Sequence, residues 1–208
     1  LTFYLLIDRI LLMSDVALNR STPEMILDVA ESLIQKLGYK AFSYRDIAKH
    51  VGIKTSSIHY HFPTKADLAT ALAERWRDQV RAVMAEIDAN QKSPQEKIES
   101  IMEVYRGKYT CSCEMCPCSM LASDLANLPE TARDEVRGVW EDIEGWFARV
   151  LREGRDQGVF YFDGDPETKA VTMFAAIEGA TISACTFQTP DRMFKMIDWL
   201  LKDLGMRE

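Results

Sequence analysis

Apolar side chains recur every three or four positions through most of this chain, the period of a helix with one buried face. The first stripe, Ile26, Leu27, Ala30, Leu33, Ile34 and Leu37, follows Thr22-Pro23 and stops at Gly38, predicting a helix over 22–37. Ser43 and Asp46 have the spacing of a capping box and open a short helix from Tyr44 to His50. Gly52 makes the turn into a second short helix, Thr55 to His61. Thr64 and Asp67 repeat the capping spacing and open a long helix through Leu68, Leu72, Trp76 and Val80 towards Ile87.

Further helices are predicted over 94–109, around 119–127, over 129–157, over 166–187 and over 190–204. Val136, Val139, Trp140, Ile143, Phe147, Val150 and Leu151 form the stripe of the longest. Strict alternation appears only in the short run Gly158 to Phe162. The fold class is therefore all-α with about nine helices and no internal repeat. Residues 1–20 are read as an N-terminal extension, with Leu1 to Met13 given no part in the fold. Residues 21–68 form a three-helix domain and 69–208 a larger helical one. Leu1 to Met13 carries Asp8 and Arg9 and falls short of the roughly 20 apolar residues a membrane span needs.

Two short helices joined at Gly52 cannot bury their own faces, and the helix over 22–37 supplies the third wall. Ile47, Ala48, Val51, Ile53, Ile58 and Phe62 point inward by spacing. Lys54, Thr55, Ser56, Ser57, His59, Tyr60 and His61 then point outward, as short polar, basic or phenolic groups suited to a major groove. The next helix adds its N-terminal amides and Lys65 as a phosphate grip.

Charge sharpens this picture only once the chain is divided. Of 208 residues, 25 are basic and 32 acidic, a net charge of −7, which argues against a protein that coats nucleic acid. Residues 21–76 hold seven basic and six acidic residues with all three histidines, whereas 77–208 hold 16 basic and 24 acidic. A small DNA-facing module on an acidic body fits that asymmetry. With 47% hydrophobic and 27% charged residues the composition is that of a globular protein, which excludes disorder, collagen and a disulfide-stapled miniature.

The stretch from Ala41 to Leu68, AFSYRDIAKHVGIKTSSIHYHFPTKADL, resembles the DNA-binding domain of the TetR/AcrR family of bacterial transcriptional regulators. The likeness is close over 22–72 and elsewhere extends to helix number and length. It implies a cytoplasmic homodimer that reads a near-palindromic operator in double-stranded DNA, and a C-terminal domain whose small-molecule effector releases that DNA. It implies no membrane, no cofactor and no enzymatic activity. By position, Tyr44, Thr55, Ser56, Ser57, His59, Tyr60 and Lys65 look like the DNA-contacting set, and Gly52 like the turn glycine. Two positions depart from the pattern. His59 stands where the family most often has tyrosine, and Lys54 where it has a hydroxyl cap.

In the body, Ala175, Ala176, Gly179, Ala180, Ser183 and Ala184 form a small-residue band, and Met193, Phe194, Ile197, Leu200, Leu201 and Leu204 an apolar stripe. The family dimer joins the last two helices of each subunit, and these look like its halves. Met102, Tyr105, Tyr109, Met120, Trp140, Phe147 and Phe174, with Glu178, suit a pocket for an apolar or aromatic effector. Neither an acid pair, a nucleophile–base pair nor a glycine-rich phosphate loop stands out as a catalytic constellation.

Cys111, Cys113, Cys116 and Cys118 lie within eight residues. Three readings of this cluster compete: a soft-metal site, a thiol switch, and inert packing at a helix junction. A thiol- or metal-sensing repressor is accordingly the alternative to a ligand-released one. Relatives commonly carry the Cys-Pro of Cys116-Pro117, so Cys111, Cys113 and Cys118 are what sets this chain apart.

Overall fold

The helical stripes fold into nine α-helices in a computed structural model that describes residues 20–111 and 115–205, side chains of 108–111 excepted. They are α1 (Thr22–Leu37), α2 (Tyr44–Val51), α3 (Thr55–His61), α4 (Lys65–Asn90), α5 (Pro94–Cys111), α6 (Pro117–Ser123), α7 (Glu130–Asp156), α8 (Pro166–Phe187) and α9 (Asp191–Asp203). Tyr39–Ala41 and Leu125–Asn127 form single 3₁₀ turns. Most of the N-terminal extension, 1–19, lies outside the described residues. The helices gather into two compact units, 20–78 with 115–138, and 79–111 with 139–205.

In the first unit, Ile26, Ala30, Ile34, Ile47, Ile58 and Leu68 are buried, so α1 is the third wall that the two short helices required. Ser43 and Thr64 each direct a backbone N–H and a hydroxyl to the carboxylates of Asp46 and Asp67, at 2.7–2.8 Å, which fixes the starts of α2 and α4. Arg75 of α4 reaches back to Asp28, at 2.7 Å, and to Glu31 of α1. The helix expected over 119–127 instead begins at Pro117, where the missing N–H costs nothing, and ends at Ser123. Asp124 then turns to accept the Tyr39 N–H at 3.1 Å, and the Gln35 amide donates to the Met115 carbonyl at 3.1 Å. These bonds fasten α6 to the connection between α1 and α2.

The second unit buries Ile98, Met102, Phe147, Leu151, Met173, Ile177, Met193 and Ile197. The alternating run Gly158 to Phe162 pairs with nothing as a strand. Phe160 is buried against Gly154, and the Tyr161 N–H donates to the Leu204 carbonyl at 2.8 Å, which ties this connection to the end of α9. Lys97, only 8% exposed, lies 3.3 Å from Glu153 and 3.5 Å from Asp88. Asp88 also accepts from Trp146 at 3.1 Å and Arg149 at 2.6 Å. Among the described residues α8 is long and apolar enough to cross a membrane. Its apolar positions Ala170, Met173, Phe174, Ile177 and Ala184 are instead buried, and α9 packs along it, as befits a core helix.

Candidate nucleic-acid interface

Gly52 ends α2 with φ of +78°, a left-handed conformation in which its N–H still reaches the Ala48 carbonyl at 2.9 Å. That turn lets α3 leave at an angle while Ile58, fully buried, pins its inner side. Lys54 takes the N-cap position without a side-chain bond, and the Ser57 N–H closes the first turn on the Lys54 carbonyl at 3.0 Å.

The outer face of α3 is the one anticipated from spacing. Lys54, Ser56, His59 and Tyr60 are exposed, and Thr55, Ser57 and His61 half-buried. Tyr60 is 82% exposed, unusual for so large an aromatic group, and meets only the edge of the His61 ring, 5.0 Å away. The Nδ1 atom of His59 lies 3.0 Å from the Pro63 carbonyl oxygen, and its ring stands 4.7 Å from that of Tyr44.

Two residues expected to touch DNA are engaged elsewhere. Tyr44 is only 9% exposed, and its hydroxyl sits 2.9 Å from the Phe62 carbonyl and 2.5 Å from that of Thr64. Burial, with the nearby charges of Asp67 and Tyr39, pushes its phenol up to about 12, so it donates at any working pH. Tyr44 thus braces the connection between α3 and α4 and offers no exposed face. The resemblance implied a DNA contact for Tyr44, but its ring turns inward beside that of His59. Lys65 is half-buried, with its ammonium 2.5 Å from the Phe42 carbonyl and 4.0 Å and 4.8 Å from the ring centres of Phe42 and Tyr39. Burial lowers its pKa, against the opposing pull of Asp124 and Asp46. A phosphate must draw Lys65 out of this seat before it can serve as a grip.

Arg45 and Lys49, four residues apart on α2, are exposed and were missed as candidates. Their spacing on one helix edge, opposite buried Ile47, was the available signal.

In the second unit, Met102 and Phe147 are fully buried, Phe174 meets half-buried Trp140 edge to face at 4.8 Å, Glu178 is buried and Tyr105 half-buried. Met120 belongs to the first unit, on α6, with its methyl near Gly38. The Tyr109 side chain lies outside the described residues. None of these side chains lines either of two surface grooves, one of about 320 Å³ along α4 and α7, the other of about 460 Å³ along α8 and α9. Of the cysteine cluster, Cys116 caps α6 half-buried and Cys118 is buried, neither in a disulfide among the described residues, whereas Cys113 and the Cys111 side chain lie outside the described residues. Among the described residues no three His, Cys, Asp or Glu side chains gather to hold a metal.

The last two helices spend much of their apolar surface internally. Ala180, Ala184, Met193, Ile197, Leu200 and Leu204, expected to face another subunit, are buried within the unit, because each helix is the other's nearest apolar partner. What stays exposed is a second set, Val171, Ile182 and Phe187 of α8 and Trp199 of α9, each roughly half exposed, beside exposed Ala175 and Gly179.

Residues 26–72 match the family model for bacterial regulatory proteins of the tetR family, and residues 94–199 that for a tetracyclin repressor-like C-terminal domain. Among solved structures, a TetR-family transcriptional regulator from Agrobacterium tumefaciens superposes with a TM-score of 0.84 at 32% identity, over 88% of this chain and 96% of that one. The nucleoid occlusion factor SlmA of Aliivibrio fischeri is 24% identical over 168 residues, 81% of this chain and 84% of that protein. The transcriptional repressor KstR2 of Mycolicibacterium smegmatis is 27% identical over 151 residues, 70% of each.

Proposed function

Because the chain belongs to the tetR family of bacterial regulatory proteins, whose members are dimeric, ligand-responsive DNA-binding regulators and not enzymes, we propose that it is a repressor released from its operator by a small apolar or aromatic effector. Membership places it in the cytoplasm with its DNA. The observation that carries the proposal is the outer face of α3: a helix fixed from behind by Ile58 leaves Ser56, His59 and Tyr60 exposed to solvent. Thr55, Ser57 and, once drawn from its seat, Lys65 complete the contact set. Tyr44 positions that set through the carbonyls of Phe62 and Thr64, and Arg45 and Lys49 supply charge beside it.

A helix of seven residues reads few base pairs, so a two-fold dimer on a near-palindromic operator doubles the site. The exposed patch of Val171, Ile182, Phe187 and Trp199 is the dimer surface in this reading. Residues 21–68 read DNA, and 69–208 dimerise and take the effector among the aromatic and methionine side chains of α5, α7 and α8. Effector binding acts on α4, which contributes residues to both compact units, and effector and operator weaken each other reciprocally.

The test is fluorescence anisotropy of the purified protein on DNA fragments from upstream of its own gene. Sequence-specific binding is expected, weakened at least tenfold by Tyr60→Ala with the thermal unfolding curve unchanged. Equal affinity for unrelated DNA at physiological salt refutes the operator reading.

A further inference from the structure

From Val171 to Phe187, about 24 Å of helix, the outer side of α8 carries no charge. Glu178, the only acidic or basic residue in that stretch, is turned inward and buried. Val171, Ile182 and Phe187 stand half exposed on this face. Beside it runs the groove of about 460 Å³, with Ala176, Gly179 and Ser183 on one bank and Arg192, Met196 and Trp199 on the other. The hydroxyls of Thr172 and Thr186 donate to the carbonyls of Thr168 and Ile182, both at 2.8 Å, and that of Ser183 accepts from Arg192 at 3.0 Å. Covering the face therefore leaves each of these hydroxyls with a partner. Gly179 lies at its middle, where a Cβ would meet nothing within 4 Å inside the protomer. A glycine weakens a helix interior, and no neighbour in the protomer calls for one here.

We infer that the two-fold axis of the dimer passes beside Gly179, with α8 antiparallel to its copy and Ile182 of each protomer seated in the groove of the other. The inference rests on the dimer reading above, for regulators of this family dimerise through the C-terminal domain. A face without charge has nothing to offer an ionic partner and suits one equally uncharged. Its side chains also mirror one another in size about Gly179: Val171 and Phe187 lie eight residues to either side, Thr172 and Thr186 seven, Ala175 and Ser183 four. Two such helices crossing at Gly179 come closest where the side chains are smallest, and the larger ones fill the space as the axes diverge. In this register Ala175 faces the partner's Ser183, and Ile182, three residues past Gly179, meets the partner's Ala176, three before it.

The experiment measures the dimer Kd by sedimentation equilibrium for the wild type, Ala175→Lys, Ala175→Lys with Ser183→Glu, and Ala175→Lys with Thr172→Glu. Positions 175 and 183 are about 12 Å apart on one helix and cannot pair within a protomer, whereas 172 and 175 lie on adjacent turns and can. Ala175→Lys is expected to raise Kd by at least about tenfold, because its ammonium meets the partner's Arg192 beside the partner's Ser183. Adding Ser183→Glu restores Kd to within a few-fold of the wild type, and adding Thr172→Glu does not. Gly179→Leu, whose side chain has open space in the protomer, weakens the dimer by a similar factor with no loss of helix content in circular dichroism. An Ala175→Lys or Gly179→Leu dimer as tight as the wild type's, no rescue by Ser183→Glu, or equal rescue by Thr172→Glu overturns this register and leaves the dimer standing. A wild type that sediments as a monomer overturns the dimer reading and this inference with it.

Discussion

Gly145 and Gly154 lie on the same helix, α7, and replacing each with alanine is expected to shift stability in opposite directions. Alanine is favoured over glycine inside a helix by about 1 kcal/mol, through lower backbone entropy in the unfolded chain. At Gly145 a new Cβ meets no atom within 4 Å, so the full benefit is available and Gly145→Ala is expected to stabilise by about 0.5–1 kcal/mol. At Gly154 the same Cβ falls 2.2 Å and 2.3 Å from two carbons of the Phe160 ring, where ordinary contact begins at 3.4 Å. The ring must retreat by more than 1 Å, yet Phe160 is only 1% exposed and has nowhere apolar to go. Overpacking of this kind costs about 1–3 kcal/mol, which outweighs the helix term and leaves Gly154→Ala destabilised by about 1–2 kcal/mol. Urea and thermal unfolding at one fixed protomer concentration measure both, because dimerisation makes the midpoint concentration-dependent. For a chain of this length each kcal/mol moves Tm by about 2–4 °C. A Gly154→Ala protein as stable as Gly145→Ala would falsify the claim that Phe160 closes over bare backbone.

Tyr44→Phe leaves the carbonyls of Phe62 and Thr64 without their buried donor and is expected to destabilise by about 1–2 kcal/mol in urea unfolding, with weaker DNA binding. Unchanged stability removes Tyr44 from its bracing role. Ile182→Arg and Trp199→Arg, each placing a charge in the exposed patch of α8 and α9, are expected to give folded monomers in sedimentation experiments. A persistent dimer moves the interface elsewhere. Hydrogen bonds to the side chain or backbone of Ser21, Ser43, Ser93 and Thr168 hold Glu24, Asp46, Glu96 and Asp165 below the usual carboxylate range. At Asp88 burial pushes upward, but Arg149, Trp146 and Lys97 outweigh it and hold the group low. These folded-state values lie below the unfolded ones, so their stabilisation is complete above about pH 4 and lost as pH falls through them. Unfolding free energy measured from pH 5 to pH 3 is expected to drop, and less steeply in Asp88→Asn; parallel curves exclude Asp88 as a contributor.

Helix positions were legible wherever a local rule governed them. The boxes at Ser43 and Thr64, the left-handed Gly52 and the stripe of α1 depend on residues within four positions of one another, and the structure has them where the spacing put them, except that Leu37, last of the stripe, is exposed where α1 ends. What escaped the sequence was set at long range. The side Tyr44 turns to depends on carbonyls 18 and 20 residues away, and the seat of Lys65 on Phe42, 23 residues back. Periodicity marked α8 and α9 as apolar but did not say which side each would spend on the other. The expected dimer stripe therefore held core residues such as Ile197 and left out exposed Trp199. The alternation over Gly158 to Phe162 has a local origin: one buried aromatic, Phe160, stands between half-buried Val159 and exposed Tyr161 without any strand partner among the described residues.

The bond from the Tyr39 N–H to Asp124 spans 85 residues, and with α6 it makes the DNA-reading unit a discontinuous stretch of the gene. A fragment cut after residue 78 lacks the cover that Pro117, Cys118 and Leu121 provide on this side of α1. Such a head is no interchangeable cassette. Recombination that joins it to another regulator's body also replaces the residues at 115–138, and a productive chimera has to inherit both stretches from the same parent.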